Sequence, residues 1–275
     1  MNTEIIEVKG RESGPASMIL AGVHGNEKCG VKALQNLLPS LQITRGTVFI
    51  GYGNPLAIER GVRFLDSNLN RMFKPSELLS EKDRASYEYD RAKFLKTYLA
   101  RSGALLDVHA SLAPNSRPFV ICESNAQGIV EYLPADLVVS GCDQVEPGGA
   151  DYYMNSIGKI GICIECGYAA AAQSIRTAAE SILSFLQARG HIENRQIARK
   201  QSYIKVRGIY ITKTDSFILS KPFADFEEIS AGQLIGIDGE EEVRAERDSL
   251  IFFARNRGRA GDEAFLVGEK KNSLT

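Results

Sequence analysis

The chain of 275 residues is long enough for one large domain, or for a large domain with a smaller one attached. Its 33 basic and 34 acidic side chains leave a net charge of −1, which argues against a surface that gathers nucleic acid or an anionic membrane. A hydrophobic share of 44% with 24% charged residues is typical of a globular protein and excludes a disordered chain.

The apolar segments of the chain are far shorter than the roughly 20 residues that a membrane-spanning helix needs. The first residues are charged or polar where a signal peptide would have an apolar core. The 5 cysteines are odd in number and lack the spacing of a disulfide framework. These features predict a cytoplasmic protein with reduced thiols and with neither a membrane nor a nucleic-acid partner.

Short apolar runs alternate with helical segments over the first two thirds of the chain. Strands that are apolar on both faces and alternate with helices are typical of a parallel sheet. The sequence therefore predicts an α/β fold, with a mostly parallel mixed sheet and helices on both faces. The predicted strands are Ser17–Gly22, Thr47–Tyr52, Leu105–His109, Phe119–Cys122, Leu137–Ser140 and Ile160–Glu165, and the predicted helices are Glu27–Leu38, Arg84–Ser102 and Ala171–Arg189.

The pattern changes after a basic stretch, Glu193–Gln201, which is a predicted linker. Beyond it the apolar runs are short and alternating, turn residues separate them, and no helical pattern is present. We therefore predict a catalytic α/β domain over residues 1–195 and a small β-rich domain over residues 202–275 that shapes the entrance of the site. The predicted strands of the second domain are Ile204–Thr212, Phe217–Ser220, Gln233–Ile237, Glu242–Ala245 and Ser249–Ala254.

Polar side chains stand where three of the predicted strands end. His24 and Glu27 follow the first of these strands, while His109 and Glu165 end two others. Because ligands bind beyond the carboxyl ends of parallel strands, we expect these side chains in one crevice. Two histidines and one glutamate with a fourth position open are the ligand set of a catalytic zinc ion, which predicts one zinc per chain on His24, Glu27 and His109. Asp107 lies on the same strand face as His109 and could orient that ligand.

Other polar residues have two interpretations each. The arginine-rich segment 54–71 follows a strand, and its arginines would suit carboxylate binding or oxyanion stabilisation, although a solvated surface loop is the alternative. Cys163 and Cys166 could form a metal or redox pair, but on a strand they point to opposite faces, so we expect structural thiols. His191 follows a helix in a charged stretch, and we expect it to be exposed to solvent.

The motifs around these residues resemble those of the succinylglutamate desuccinylase/aspartoacylase family, whose fold is similar to that of the zinc carboxypeptidases. The resemblance covers roughly residues 15–185, with the motifs in the family's order. A weaker resemblance to the family's small β domain includes a lipoyl-domain-like run over residues 228–253. The matching motifs are GVHGNE (Gly22–Glu27), GNP (Gly53–Pro55), R-x-x-D-x-x-L-N-R-x-F (Arg63–Phe73), LLDVHAS (Leu105–Ser111) and IECG (Ile164–Gly167).

The resemblance implies the same three zinc ligands and gives roles to four further residues. Glu165 matches the family's general base, which takes a proton from water and returns it to the leaving amine. Arg63 matches the arginine that polarises the scissile carbonyl and stabilises the oxyanion. Asn70 and Arg71 match the pair that binds the carboxylate of an amino-acid substrate.

Asn68 departs from the family's pattern, which usually has Asp at this position. In related enzymes that Asp accepts a hydrogen bond from a zinc-bound histidine. An amide oxygen can also accept it, but it lacks the negative charge that raises the basicity of the ligand, so we expect zinc binding to persist with lower affinity. The arginine-containing stretch with which vertebrate aspartoacylases bind an acyl-side carboxylate has no counterpart that we can identify, which leaves the acyl group open.

Together these features predict a zinc-dependent amidohydrolase that cleaves a small N-acyl amino acid into a carboxylate and a free amine. A zinc carboxypeptidase or peptidoglycan-peptide hydrolase on the same scaffold is the nearest alternative. A binding protein without turnover and a redox protein acting through its cysteines are weaker alternatives. The sequence leaves open whether the protein forms a homo-oligomer.

Overall fold

The computed structural model describes residues 4–193 and 197–274. Within these residues, strands form one 11-stranded sheet and one 3-stranded sheet. The strands are β1 (Ile6–Lys9), β2 (Glu12–Ala21), β3 (Arg45–Tyr52), β4 (Ala104–Ser111), β5 (Phe119–Cys122), β6 (Leu137–Ser140), β7 (Ile160–Tyr168), β8 (Ser202–Ile211), β9 (Phe217–Leu219), β10 (Glu227–Ile229), β11 (Leu234–Asp238), β12 (Glu241–Arg244), β13 (Ser249–Phe252) and β14 (Glu263–Lys271).

Within the described residues, the helices all lie before residue 189. Short 3₁₀ helices at Leu69–Arg71, Ser76–Leu78 and Ser124–Ala126 accompany them. The α-helices are α1 (Cys29–Leu37), α2 (Pro55–Arg60), α3 (Glu81–Arg84), α4 (Tyr87–Leu99), α5 (Gln127–Val130), α6 (Cys142–Val145), α7 (Ala150–Ser156) and α8 (Ala172–Ala188).

The large sheet has the strand order β1-β3-β2-β4-β7-β5-β6-β8-β14-β13-β10. Strands β3, β2, β4 and β7 are parallel to one another, and so are β5, β6 and β8. The remaining neighbours are antiparallel: β1 with β3, β7 with β5, β8 with β14, β14 with β13, and β13 with β10. The prediction of a mostly parallel mixed sheet is therefore confirmed for the part of the chain that carries the strand-end motifs.

Helices cover both faces of this sheet. Ile19 and Ala21 of β2 lie in the same core as residues of α1 and α8. Met18 and Leu20, which alternate with them, lie in a second core with residues of α4 and α7. Because successive strand residues point to opposite faces, a strand that is apolar at every position needs a helical layer on each side. The structure confirms that arrangement.

The predicted helix Arg84–Ser102 is two helices in the structure. Helix α3 ends at Arg84, and α4 begins at Tyr87. Ser86 stands between them, and its side chain accepts the backbone N–H of Tyr89, which satisfies one of the free donors at the start of α4. Apolar spacing alone does not show this break, because the periodicity continues across it.

The C-terminal strands continue the large sheet. Strand β8 pairs with β6 in parallel, and β14, β13 and β10 follow it, while β9, β11 and β12 form the small sheet. The predicted linker includes residues 194–196, which lie outside the described residues, and the division into two domains stays a prediction. Across 4–193 and 197–274, none of the helices combines the length and apolar character needed to cross a membrane.

The prediction that His191 is exposed is wrong. The side chain is 0% exposed, and it connects two strands of the sheet. Its Nδ1 lies 2.9 Å from the Arg45 carbonyl oxygen and its Nε2 lies 2.8 Å from Ser17 Oγ. Since a carbonyl only accepts, Nδ1 donates to Arg45, and Nε2 accepts from the Ser17 hydroxyl. The surrounding charges in the sequence gave no indication of this burial, which depends on where the chain returns after α8.

We expect stability to fall as the pH is lowered through the titration of His191. Burial lowers the pKa of His191 below its ordinary value of 6.5. Below that pH the unfolded chain binds a proton that the folded chain does not, so the free energy of unfolding decreases with decreasing pH. The variant His191→Gln should be less stable at neutral pH by about 1–3 kcal/mol and should lose less stability on acidification. Urea unfolding from pH 7.5 to 5 measures both effects, and parallel curves for variant and wild type would contradict the expectation.

Candidate functional site

Three neighbouring parallel strands bring the predicted site residues to one edge of the sheet. Strands β2, β4 and β7 are adjacent, and their carboxyl ends lie together. His24 and Glu27 lie in the turn after β2, and His109 and Glu165 are register partners near the ends of β4 and β7. Helix α1 begins at Cys29 and not at the predicted Glu27, which leaves the Glu27 side chain in the turn.

A glycine permits the turn that carries His24 and Glu27. The N–H of Gly25 donates to the Arg63 carbonyl at 3.1 Å, and a Cβ at this position would overlap the Ala57 backbone. The N–H of Glu27 then donates back to the His24 carbonyl at 3.1 Å, which closes the turn. Any side chain at Gly25 would push the turn away from the segment that contains Arg63.

His24, Glu27 and His109 form a buried cluster whose ligand atoms all lie within 4.8 Å of one another. Nδ1 of His24 is 2.9 Å from Oε1 of Glu27, and Nδ1 of His109 is 3.1 Å from Oε2 of the same carboxylate. Two imidazole nitrogens and a carboxylate at this spacing could hold a metal ion.

The hydrogen bonds of Asn68 define the tautomer of His24. Oδ1 of Asn68 accepts the backbone N–H of Asn70 at 3.1 Å and lies 3.1 Å from His24 Nε2. Because this oxygen only accepts, Nε2 carries the proton and Nδ1 keeps a lone pair. That nitrogen is buried and has no hydrogen-bond partner among the described residues, although Glu27 Oε1 faces it. A lone pair that faces a carboxylate oxygen is stabilised by a shared cation, so these residues fit a metal ion.

The three groups of the cluster differ in their ionisation. Burial lowers the pKa of His24 from 6.5 to about 4, which keeps it neutral. Burial acts to raise the pKa of Glu27, but His24 and His109 outweigh it and hold the pKa well below its ordinary value. Burial also acts to lower the pKa of His109, whereas Asp107 and Glu27 raise it well above its ordinary value. Asp107 Oδ2 lies 3.0 Å from His109 Nε2, a charge contact in which neither atom has a partner with hydrogen-bond geometry among the described residues.

Arg63 lies against the cluster. Its Nη1 donates to Glu27 Oε1 at 2.8 Å, so a guanidinium group stands beside the atoms that could hold a metal ion. A planar cation with several N–H donors at this place could stabilise negative charge that develops on a substrate oxygen.

Two charged residues of α4 hold the loops that carry this arginine. The buried carboxylate of Glu88 accepts the backbone N–H of Leu65 at 2.7 Å and those of Asp66 and Ser67 at 3.2 Å. Arg91 donates to the carbonyl oxygen of Gly53 at 2.9 Å, in the turn after β3. Within the segment 54–71, Arg63, Asn70 and Arg71 therefore line the cavity on an ordered backbone, whereas residues 59–62 are exposed to solvent as the surface-loop alternative expects.

Glu165 lines a cavity together with the residues of the cluster, and one of its carboxylate oxygens has no hydrogen-bond partner among the described residues. The residue is buried, and its Oε2 has no hydrogen-bond partner in the described part of the chain. Burial and the Glu27 carboxylate raise the pKa of Glu165 to about 8, against the opposing effect of His109. A cation bound at Glu27 would neutralise the Glu27 carboxylate and so remove one of the two causes that raise the pKa of Glu165.

The cavity has a volume of about 110 Å³. All seven predicted site residues line it: His24, Glu27, Arg63, Asn70, Arg71, His109 and Glu165.

Arg71 is already paired with carboxylates. Its guanidinium donates to Glu263 at 2.8 and 2.7 Å and also forms an ion pair with Glu146. Burial raises the pKa of Glu146, whereas Arg71 holds the pKa of Glu263 below its ordinary value despite burial. The carboxylate-binding role that the resemblance implies for Arg71 would therefore require a substrate to compete with these glutamates.

The sequence did not indicate several charged residues of the cavity wall. They lie on or next to α6 and α7, in the loop between β13 and β14, and at the start of β14, and no spacing in the sequence marks them. These residues are Asp143, Glu146, Asp151, Arg255, Arg257 and Glu263.

The two cysteines on β7 contact different parts of the structure, as expected. Cys163 lines the cavity, while Cys166 packs in the core that contains α1 and α8. Both are free thiols, and neither belongs to the cluster among the described residues that could hold a metal ion. Their interpretation as structural thiols stays consistent with the structure.

Comparison with known sequences identifies a family match over most of the chain. Residues 13–189 match the sequence profile of the succinylglutamate desuccinylase/aspartoacylase catalytic domain. A probable aspartoacylase from Prochlorococcus marinus is 32% identical over 103 residues, which cover 35% of this chain and 34% of that protein. A probable aspartoacylase from a Nostoc species is 30% identical over 178 residues, or 58% of this chain and 57% of that protein. The chain thus spans less than two thirds of these relatives.

Solved structures share the fold over nearly the whole chain. A succinylglutamate desuccinylase from Vibrio cholerae superposes with a TM-score of 0.82 at 18% identity, covering 97% of this chain and 85% of that one. At this level of identity the likeness concerns the fold, and it extends over the C-terminal strands that the family profile does not cover.

Proposed function

Because this chain belongs to the succinylglutamate desuccinylase/aspartoacylase family, we propose that it is a zinc-dependent amidohydrolase that cleaves the amide bond of a small N-acyl amino acid. The observation that carries the proposal is the buried cluster of His24, Glu27 and His109 beside Glu165 and Arg63 in one cavity. Such a set combines metal ligands, a candidate base and a candidate oxyanion donor.

His24, Glu27 and His109 would hold the zinc ion. When bound, zinc supplies Lewis-acid polarisation of the substrate carbonyl and lowers the pKa of a coordinated water. His24 is prepared for this role, since Asn68 leaves its Nδ1 lone pair free. Asp107 raises the basicity of the second histidine ligand through the contact with Nε2.

Glu165 and Arg63 perform the proton transfer and the charge stabilisation in this proposal. Glu165 accepts a proton from the attacking water at its unpartnered Oε2 and delivers it to the leaving nitrogen, so the amine departs neutral. Arg63 donates to the substrate oxygen as negative charge develops there. The loss of one such donor typically costs about 2.7–4 kcal/mol of transition-state stabilisation.

The size of the cavity favours a small substrate. Its volume of about 110 Å³ is well below the several hundred Å³ of sites that enclose larger ligands. C-terminal side chains, among them Phe253 and Phe265, line it together with the catalytic segments. A folded polypeptide or long peptide would need this wall to move away, which supports an acyl amino acid over the peptidase alternative.

A hydrolysis screen tests the proposal directly. The zinc-loaded protein is assayed against acetyl-, succinyl- and longer-chain acyl amino acids, with N-blocked peptides of three or more residues as the comparison. We expect release of free amine from at least one acyl amino acid and none from the peptides. Turnover of peptides alone would favour a carboxypeptidase, and no turnover of any substrate would contradict an enzymatic role.

A further inference from the structure

The cavity contains four arginines, and they differ in whether a carboxylate neutralises them. They are Arg63, Arg71, Arg255 and Arg257. Arg63 is paired with Glu27, and Arg71 is paired with both Glu146 and Glu263. A carboxylate on the substrate of the proposed reaction would have to displace one of these glutamates or bind to another cation.

Arg255 is the cation of the cavity that is least engaged with protein acceptors. It forms no ion pair within residues 4–193 and 197–274, and its Nε lies 3.5 Å from the Phe253 carbonyl oxygen, at the limit of a hydrogen bond. Arg257 is held more firmly, since its Nε donates to the Glu263 carbonyl at 2.6 Å. A half-buried guanidinium without a partner anion carries a desolvation cost that a bound carboxylate would offset.

Arg255 lines the same cavity as Glu27 and Glu165. Burial and the charge of Arg63 lower the pKa of Arg255, while Glu27 and Glu165 act in the opposite direction. These are the charges of the cluster and of the candidate base. A carboxylate bound at Arg255 would therefore lie within the cavity and close to the bond that is cleaved.

The backbone around Arg255 is fixed before any ligand binds. Asp225 accepts the N–H of Phe253 at 2.9 Å and the hydroxyl of Ser111 at 3.2 Å, which ties this segment to the end of β4. The N–H of Arg255 donates to the Ala264 carbonyl at 3.0 Å. Phe253 has a φ of 54°, a conformation that bulky residues adopt only where the surroundings enforce it. The guanidinium group is thus presented from a rigid support.

From this we infer that Arg255 binds a carboxylate of the substrate and thereby determines specificity. The inference rests on the proposed function. The carboxylate could belong to the acyl group, as in a succinyl chain, or to the amino acid. Both sources offer the same planar anion, which two parallel N–H donors of a guanidinium group match.

The test compares Arg255→Gln with wild type on three substrates: a succinyl amino acid, the acetyl form of that amino acid, and the succinyl form of its amide. We expect the variant to raise KM about 10- to 100-fold, with a smaller change in kcat, for substrates that carry the recognised carboxylate. If the effect disappears with the acetyl substrate, Arg255 binds the acyl carboxylate. If it disappears with the amide, Arg255 binds the carboxylate of the amino acid. A KM within twofold of wild type on all three substrates, or an equal increase on all three, would overturn the inference.

Matched variants separate recognition from folding. Arg259→Gln removes an exposed arginine four residues along the chain that does not line the cavity, and it should leave KM unchanged. Arg255→Lys keeps the charge without the planar guanidinium group, so its KM should lie between those of wild type and Arg255→Gln. If Arg255→Gln does not fold, the KM of Arg255→Lys tests whether Arg255 binds the carboxylate.

If wild type hydrolyses no acyl amino acid, the proposed function fails, but calorimetry with succinate still tests Arg255. Equal binding of succinate and of aspartate by wild type and variant would then overturn the carboxylate site.

Discussion

Replacing Glu165 with glutamine is expected to lower kcat about 100- to 10,000-fold for any substrate the protein hydrolyses. Glutamine has nearly the same shape as glutamate but cannot accept the proton of water. The buried Oε2 of Glu165 has no hydrogen-bond partner in the described residues, so the substitution leaves no other group in the protein unpaired. The loss should therefore appear in kcat, with the melting temperature and the metal content close to those of wild type.

The control for this prediction is Glu59→Gln, which makes the same chemical change at an exposed position of α2. Steady-state kinetics and metal analysis are measured on both variants alongside wild type. A Glu165→Gln protein that is fully active would remove the proposed base. A variant that loses its metal together with its activity would show that Glu165 supports the cluster and would contradict a role confined to proton transfer.

Removal of the metal is expected to abolish turnover, and added zinc is expected to restore it. The reason is the buried lone pair of His24 Nδ1, which faces the Oε1 acceptor of Glu27 and for which a cation is the natural partner. The protein is treated with a chelator, dialysed, assayed, and then assayed again after addition of one equivalent of zinc. Full activity in the metal-free protein would contradict the proposed mechanism.

Variants of the ligands extend this prediction to binding itself. His109→Ala should retain less than a stoichiometric amount of zinc, whereas His191→Gln, which changes a histidine outside the site, should retain one equivalent. Asn68→Asp should bind zinc more tightly, by up to about 10- to 100-fold, because a carboxylate would raise the basicity of His24 where the amide now accepts its proton. Competition with a zinc-sensitive dye measures these affinities without reference to activity. Weaker zinc binding by Asn68→Asp would show that the contact with His24 is not a ligand-orienting one.

The sequence was sufficient to predict the fold class and seven of the residues that meet in the cavity. The motifs lie at strand ends, and in a parallel sheet the carboxyl ends of adjacent strands share one edge, so local patterns carry three-dimensional information. The turn from His24 to Glu27 is likewise closed locally, because the N–H of Glu27 donates to the His24 carbonyl. Gly25, four residues before Cys29, leaves room for the Ala57 backbone. For the strand-end motifs, the local sequence predicts which side chains come together, because parallel pairing brings the strand ends to one edge of the sheet.

Other features were decided only by tertiary structure. His191 stands in a charged stretch, yet its ring is buried between Ser17 and Arg45, because the chain returns to the sheet after α8. The pairing of Arg71 with Glu263 joins residues that are 192 positions apart. Arg255, in the loop between β13 and β14, reaches the cavity because these strands extend the large sheet. No periodicity or spacing in a single sequence records such contacts, since they depend on how separate segments pack and not on the conformation of any one of them.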